Sequence, residues 1–261
     1  MKHNLTPLKR FGQNYLVDKN IINKIIDTFN PAPDDFVIEV GPGTGALTKQ
    51  LFHKVKNFTA IEIDTRVIDN LKSEMPGLKI INQDFLETDL RSIIPSNKVR
   101  VIGNIPYNIT SSILFKLIEN REFVSDALLM TQYEVAKRIT AHKRTKDYGI
   151  LSVIINYFAD TELCFKISPN VFYPKPNVWS ATVKINFQKF DRLTTDTELF
   201  IKVVKASFGN RRKTLKNSLS NSIFKNIDID SLKFPLSRRA EELTIEEFVE
   251  LTNQIKRLVN G

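Results

Sequence analysis

The chain has 261 residues, of which 42% are hydrophobic, so it is long enough for one large domain and a smaller one, each with its own core. The 38 Lys and Arg residues outnumber the 29 Asp and Glu residues, and the net charge of +9 favours a polyanionic partner, either a nucleic acid or an acidic membrane surface. A single cysteine, Cys164, excludes an intramolecular disulfide and fits a reducing compartment.

Targeting and metal-binding signals are weak. No apolar signal-peptide core follows the amino terminus, and the longest mostly apolar stretch, residues 148–159, is too short to span a membrane. His3, His53 and His142 are scattered without Cys or His neighbours at metal-ligand spacing. We therefore expect a soluble, cytoplasmic protein that needs no metal.

The first part of the chain has the pattern of an α/β domain. Apolar residues at helical spacing from Ile21 to Phe29, after the candidate caps Asp18 and Asn20, predict an amphipathic helix. Five strand-like runs then alternate with helical segments, at residues 36–40, 58–63, 78–81, 99–102 and 127–130. This alternation predicts a mostly parallel sheet covered on both faces.

The pattern changes after Gly149. Residues 150–158 and 163–167 are predicted as strands joined by a short polar turn, and residues 181–187 as a third, which allows antiparallel pairing at one sheet edge. From about residue 190 the sequence predicts helices, and Thr244 and Glu247 form a candidate capping box for the last one. We expect two domains, residues 1–189 and a small helical domain of residues 190–261.

A glycine-rich segment, Glu-Val-Gly-Pro-Gly-Thr-Gly at residues 39–45, follows the first strand of the predicted sheet. Glu62 ends the second strand about twenty residues later, where a carboxylate accepts ribose hydroxyls, and Asp84 follows the third strand at a position suited to a base. The glycines alone also fit a plain turn. Because the loop is G-x-G-x-G and lacks the Lys-Ser/Thr pair of a P-loop, the set favours S-adenosylmethionine over NAD or ATP.

The run Asn104-Ile105-Pro106-Tyr107 ends the fourth strand. The Asn104 side-chain oxygen and a carbonyl of Ile105 or Pro106 are able to accept both N–H bonds of an exocyclic amine on a flat base, and Tyr107 is able to stack on that base. Pro106 keeps the turn extended. Amino-methylation of a nucleobase is the leading hypothesis, and a strand-terminating turn with a core tyrosine is the alternative.

With these motifs the chain resembles the ribosomal RNA adenine N6-dimethyltransferases over its full length. Their amino-terminal signature resembles residues 11–16, with Tyr15 where Phe is usual, and a second match covers residues 172–180. The resemblance implies a Rossmann-like class I methyltransferase domain. It also implies that Phe172 is the second wall of the target-base pocket, with a core aromatic in a proline-stiffened loop as the alternative. The cofactor contacts that the resemblance implies are Asn14, Leu16, Gly41, Glu62, Asp84 and Asn104.

Residues 199–227 carry seven basic side chains and no acidic one. Such a stretch is able to line an RNA backbone, and a solvated helix face is the alternative. The proposed RNA contacts within it are Arg211, Arg212, Lys213 and Lys216.

Residues 208–215 and 239–243 resemble the enzymes that dimethylate two adjacent adenosines near the 3′ end of small-subunit rRNA. We therefore expect S-adenosylmethionine-dependent dimethylation of 16S rRNA within a pre-30S particle, carried out by a monomer. The alternatives are a large-subunit 23S rRNA methyltransferase of the macrolide-resistance type, a non-catalytic RNA-binding assembly or transcription factor on the same fold, and, more weakly, an NAD-dependent oxidoreductase.

Overall fold

The computed structural model describes residues 6–8, 11–94, 98–187, 195–210 and 212–260. The chain forms two compact units, one of Met1–Ala136 with Thr161–Gln188 and the other of Lys137–Asp160 with Lys189–Gly261. The expected boundary between residues 189 and 190 falls outside the described residues. Residues 137–160, which we expected in the first domain, group with the second unit.

The first unit is built on a mixed, mostly parallel sheet. The strands are β1 (Tyr15–Leu16), β2 (Phe36–Val40), β3 (Asn57–Glu62), β4 (Ile80–Asn82), β5 (Val99–Asn104), β6 (Val124–Gln132), β7 (Asp160–Ile167), β8 (Phe172–Tyr173) and β9 (Ser180–Asn186). The strand order of the sheet is β4-β3-β2-β5-β6-β9-β7. Strands β2 to β6 pair in parallel, and β9 pairs antiparallel to β6. The predicted mostly parallel sheet is confirmed, and its antiparallel part lies at one side.

Helix α1 (Lys19–Phe29) precedes the parallel strands. Four helices then connect these strands, namely α2 (Thr48–Leu51), α3 (Thr65–Glu74), α4 (Leu90–Ile93) and α5 (Thr110–Glu119). Helix α1 buries Ile22, Ile25, Ile26 and Phe29, and the Asp18 carboxylate caps it by accepting the Ile21 N–H at 2.9 Å. The predicted helix and its cap are confirmed, whereas Asn20 lies inside the helix. Strands β1 and β8 form a separate two-stranded antiparallel sheet.

One predicted strand is wrong. Helix α6 (Tyr133–Ile139) leads into the second unit, and there residues 150–158 form helix α7 (Ile150–Phe158). An unbroken apolar run does not by itself distinguish a buried strand from a buried helix. The Asn156 amide donates to the Ser152 carbonyl at 2.8 Å and to the Ile139 carbonyl at 2.7 Å. These bonds satisfy the Asn156 amide inside an apolar helix. The sequence analysis had instead placed this residue in a strand.

Aromatic packing joins the helices of the second unit, which continues with α8 (Thr197–Ser207), α9 (Leu215–Ser220) and α10 (Ile245–Asn260). Tyr157 stacks on Phe200 with ring centroids 4.1 Å apart. The predicted capping box of α10 is confirmed, since the Glu247 carboxylate accepts the Thr244 N–H at 2.7 Å and the Thr244 hydroxyl accepts the Glu247 N–H at 3.2 Å. Within the described ranges, no helix combines the length and apolarity needed to cross a membrane.

Arg100 ties the sheet to the end of α1. Its guanidinium donates to both Asp126 carboxylate oxygens at 2.8 and 2.9 Å, to Asp35 at 2.7 Å and to the carbonyls of Phe29 and Asn30 at 2.6 and 3.0 Å. The cluster therefore joins β5, β6 and the carboxyl end of α1 at the edge of the sheet where the parallel strands begin.

We expect Arg100→Met to lower the free energy of unfolding by about 3 kcal/mol, because Asp126 is only 8% exposed and loses its charged partner. Urea denaturation measures the change, with Lys72→Met on the exposed face of α3 as control. The double variant Arg100→Met/Asp126→Leu should lose less than the sum of the two single variants. An unchanged midpoint in Arg100→Met would show that the cluster does not stabilise the fold.

Candidate active site

A cavity of about 320 Å³ lies at the carboxyl ends of β2, β3 and β5. The structure brings together there all the residues predicted as cofactor contacts, namely Asn14, Leu16, Gly41, Glu62, Asp84 and Asn104. Ile105, Pro106 and Tyr107 line the same cavity. The glycine loop, the Glu62 carboxylate and the turn that begins at Asn104 thus line the same cavity.

The glycine loop has the backbone conformation that its residues predict. Gly41 and Gly43 have φ angles of +65° and +54°, which residues with side chains rarely adopt. A Cβ atom on Gly43 would lie 3.0 Å from the Tyr15 ring, whereas no atom lies within 4 Å of a Cβ placed on Gly41. The Gly41 backbone is therefore open to close approach by a ligand, which fits a bound nucleoside.

Glu62 is held in place by backbone donors. One carboxylate oxygen accepts the N–H groups of Ile63 and Asp64 at 3.0 and 2.9 Å, and the other accepts the Gly43 N–H at 3.4 Å. The side chain is 6% exposed, and burial raises the pKa of its carboxyl while the backbone donors oppose the rise. The bonds connect the end of β3 to the glycine loop and fix the orientation of the carboxylate.

A second carboxyl, that of Glu39, lines the cavity and was not among the predicted site residues. It is 1% exposed, its oxygen accepts a hydrogen bond from the Thr48 hydroxyl at 2.7 Å, and burial raises its pKa to about 8. The sequence did contain a signal for Glu39, since it is an acidic residue inside the apolar strand β2. An acidic side chain is rarely buried without a specific reason.

The segment from Phe11 to Leu16 is attached to the end of β3 through Gln13, which the sequence analysis did not single out. The Gln13 amide donates to Asp64 at 3.0 Å, and its oxygen accepts the Tyr15 hydroxyl at 2.8 Å. The Arg66 guanidinium holds the pKa of the Asp64 carboxyl below its usual range. Tyr15, present where the family usually has Phe, thus buries its hydroxyl with a partner, and burial raises its pKa to about 12.

The turn after β5 presents hydrogen-bond acceptors. The Asn104 side-chain nitrogen donates to the Asn14 carbonyl at 2.7 Å, so its oxygen is the end of the amide left to accept, and no described residue donates to it. The Pro106 carbonyl accepts the Ile109 N–H at 3.3 Å and the Thr110 hydroxyl at 3.5 Å. No described group donates to the Ile105 carbonyl. Of the two carbonyls considered from sequence, that of Ile105 is therefore the better second acceptor.

The two aromatic residues predicted to enclose a base lie in different places. The Tyr107 hydroxyl forms a 2.6 Å hydrogen bond with the Ser180 hydroxyl, and burial raises its pKa. Phe172 is 4% exposed and belongs to the hydrophobic core with Leu16, its partner across the β1–β8 pair. Phe172 does not line the cavity, so its stacking on a base stays a prediction.

The predicted RNA contacts lie in the second unit. Arg211 lies outside the described residues, whereas Arg212 and Lys213 are exposed and Lys216 pairs with Asp230 at 2.6 Å. Lys213 also lines a polar cleft of about 530 Å³. In the described part of the chain, no three His, Cys, Asp or Glu side chains form a group suited to a metal ion.

We expect Glu39→Gln to gain stability relative to the wild type as the pH rises from 5 to 8. The folded protein keeps the Glu39 proton up to a pKa of about 8, while the unfolded chain loses it near 4.5, so wild-type stability falls across this range. One proton corresponds to at most about 1.4 kcal/mol per pH unit. Urea denaturation at several pH values measures the difference, with the exposed Glu119→Gln as control. An equal difference at pH 5 and pH 8 would contradict the assignment.

Two solved structures are similar to this chain over nearly its whole length. A dimethyladenosine transferase from Plasmodium falciparum superposes with a TM-score of 0.80 at 25% identity, covering 94% of this chain and 98% of that one. The 23S rRNA methyltransferase ErmE superposes with a TM-score of 0.69 at 27% identity, covering 93% and 100%. The expected Rossmann-like class I methyltransferase fold is confirmed.

Curated relatives match the chain at higher identity. The ribosomal RNA small subunit methyltransferase A of Chlorobium phaeobacteroides (strain DSM 266) is 44% identical over 252 residues, 96% of this chain and 92% of the relative. The protein of the same name from Francisella tularensis subsp. novicida is 42% identical over 260 residues, 97% and 99% of the two chains. A family model described as ribosomal RNA adenine dimethylase matches residues 5–257. The chain therefore belongs to the ribosomal RNA adenine dimethylase family.

Proposed function

We propose that the protein transfers methyl groups from S-adenosylmethionine to N6 of two adjacent adenosines near the 3′ end of small-subunit rRNA, leaving both dimethylated. Family membership and two small-subunit methyltransferases at 42 and 44% identity over nearly the whole chain support this substrate. The more distant ErmE, at 27% identity, leaves large-subunit rRNA as the second candidate. On our proposal a monomer acts in the cytoplasm on a pre-30S particle.

The observation that carries the proposal is the hydrogen bond from the Asn104 amide nitrogen to the Asn14 carbonyl. The N6 amine of adenine is a poor nucleophile because its lone pair is delocalised into the ring. With the amide nitrogen engaged, the Asn104 oxygen and the Ile105 carbonyl accept the two N–H bonds of that amine and localise its lone pair. The contribution is positioning and electrostatics, and no strong base is required.

On the proposal, several cavity residues each contact one part of the methyl donor. S-adenosylmethionine supplies a methyl group already activated by its sulfonium. On the proposal, Glu62 accepts the ribose hydroxyls, Asp84 contacts the adenine, and the open backbone at Gly41 lies beside the methionine part. Asn14 and Leu16 close the cavity from the amino-terminal segment. The backbone donors to Glu62 fix the orientation of its carboxylate, which supports its proposed role toward the ribose.

The target base is placed by aromatic contact and the RNA by charge. Tyr107, whose hydroxyl is fixed by Ser180, offers its ring to the adenine, and Phe172 stays the predicted second wall. In the second unit, the exposed Arg212 and Lys213, with Arg211 beside them in sequence, supply the phosphate contacts. Lys216 contributes less on this view, because Asp230 already neutralises it.

Asn104→Ala should lower methyl transfer by about 10²–10³-fold while leaving the affinity for S-adenosylmethionine nearly unchanged, because the acceptor for the amine is lost. Radiolabelled transfer measures the rate and calorimetry measures the affinity. Glu62→Ala, by contrast, should weaken the affinity for S-adenosylmethionine, because the proposed ribose contact is lost. The control for both variants is Asn70→Ala, on the surface of α3. Wild-type turnover in Asn104→Ala would remove the proposed role of its side chain.

The substrate is tested by offering labelled S-adenosylmethionine with unmethylated small-subunit particles, naked small-subunit rRNA or large-subunit rRNA, followed by mapping of the methylated nucleotides. We expect dimethylation of two neighbouring adenosines near the 3′ end of the small-subunit rRNA and no label in the large-subunit RNA. Label on a single large-subunit adenosine would establish the second candidate instead. The absence of transfer to any of the three would favour a non-catalytic binding protein.

A further inference from the structure

The only tryptophan of the chain lies at the surface. Trp179 is 47% exposed, although tryptophan is usually well buried. The Lys166 ammonium lies 4.1 Å from the centroid of its ring and 4.5 Å from that of Tyr133. We call Tyr133, Lys166 and Trp179 the aromatic platform. It joins a large exposed π surface to a positive charge, the combination with which proteins bind single-stranded nucleic acid.

The aromatic platform is adjacent in sequence to a residue that is bonded to the active-site turn. Trp179 directly precedes Ser180, whose hydroxyl bonds the Tyr107 hydroxyl at 2.6 Å. The Tyr133 N–H donates to the Trp179 carbonyl at 2.8 Å, which fixes the backbone at the start of β9 beside the end of β6. The exposed indole therefore belongs to the residue next to Ser180, whose side chain holds the proposed base-stacking tyrosine.

The segment of the chain that carries Lys166 and Trp179 is basic. Residues 163–190 contain no Asp or Glu and carry four lysines, Lys166, Lys175, Lys184 and Lys189. Lys166 interacts with two rings, and an ammonium group in such a contact is still able to donate an N–H bond to a phosphate oxygen. The partner that this charge and this π surface fit together is a nucleotide.

We propose that the aromatic platform binds a nucleotide next to the target adenosine, with its base stacked on Trp179 and its phosphate on Lys166. The inference rests on the proposed function. A base that lies on a side chain must be unstacked from its neighbours, so the platform selects a single-stranded segment of the rRNA. It holds the flanking nucleotide while Tyr107 and Asn104 bind the target.

The single tryptophan gives a direct test. Naked small-subunit rRNA contains no tryptophan, so emission excited at 295 nm during a titration reports Trp179 alone. We expect the emission to be quenched as the RNA binds, with a midpoint that agrees with filter binding. Binding by filter assay without any change in emission would overturn the stacking contact. Quenching by vesicles of anionic phospholipid but not by RNA would overturn it in favour of a membrane surface.

Two variants separate the base contact from the phosphate contact. Trp179→Ala should weaken RNA binding about tenfold or more without altering its salt dependence, and Trp179→Phe should restore most of the affinity. Lys166→Gln should weaken binding and reduce the slope of log affinity against log salt by about 0.7, the value for one phosphate of a single strand. The control is Lys79→Gln, an exposed lysine beside β4 at the opposite edge of the sheet.

Methyl-transfer kinetics on the same variants separate this inference from the proposed function. In Trp179→Ala and Lys166→Gln we expect the KM for RNA to rise while kcat and the affinity for S-adenosylmethionine stay close to wild type. Wild-type RNA affinity and KM in both variants, in a protein that methylates small-subunit rRNA, would overturn the inference alone. A wild-type protein that transfers no methyl group would instead overturn the proposed function.

Discussion

The arrangement of the site depends on the parallel pairing of β2, β3 and β5. Parallel neighbours end at the same edge of a sheet, so the glycine loop after β2, Glu62 at the end of β3 and Asn104 at the end of β5 are brought to one side. Register matters as much as direction. A slip of one residue in β3 would turn Glu62 to the opposite face of the sheet and remove its carboxylate from the glycine loop.

The amino-terminal segment, residues 11–16, also lines the cavity. Two hydrogen bonds attach it to the strand ends, one through the Gln13 side chain and one through the Asn14 backbone carbonyl. Gln13 bonds Asp64 just beyond β3, and the Asn14 carbonyl accepts from the Asn104 amide at the end of β5. The second bond has a chemical consequence, since it determines which end of the Asn104 amide is left for a substrate. The same segment therefore covers the proposed cofactor site and orients the proposed catalytic side chain.

Two buried carboxyls, Glu39 and Glu62, line one cavity in different surroundings. Glu62 is bonded by three backbone N–H groups, which favour its charged form. Glu39 has the Thr48 hydroxyl as its hydrogen-bond donor, and its pKa of about 8 keeps it largely neutral at pH 7. The charge of Glu62 contributes to that rise. At Glu62, by contrast, backbone donors oppose the rise in pKa that burial causes at both carboxyls.

Features that depend on local chemistry were predictable from the sequence. Periodicity and capping residues located α1 and α10, and the alternation of strands and helices indicated the mostly parallel sheet. The glycine loop, Glu62 and Asn104 were singled out because each follows or ends a strand, whereas Gly41 as an individual contact came from the family resemblance. The apolar run of residues 150–158 was misassigned because both a buried strand and a buried helix accept such a run.

Contacts between residues far apart in sequence depended on the tertiary fold. The bond between Asn104 and Asn14 spans 90 residues, and that between Tyr107 and Ser180 spans 73. Likewise, whether the ring of Phe172 faced the cavity or the core depended on the pairing of β8 with β1, which places it in the core. Local pattern fixes which residues end a strand, whereas their hydrogen-bond partners depend on how the strands and segments are brought together in space.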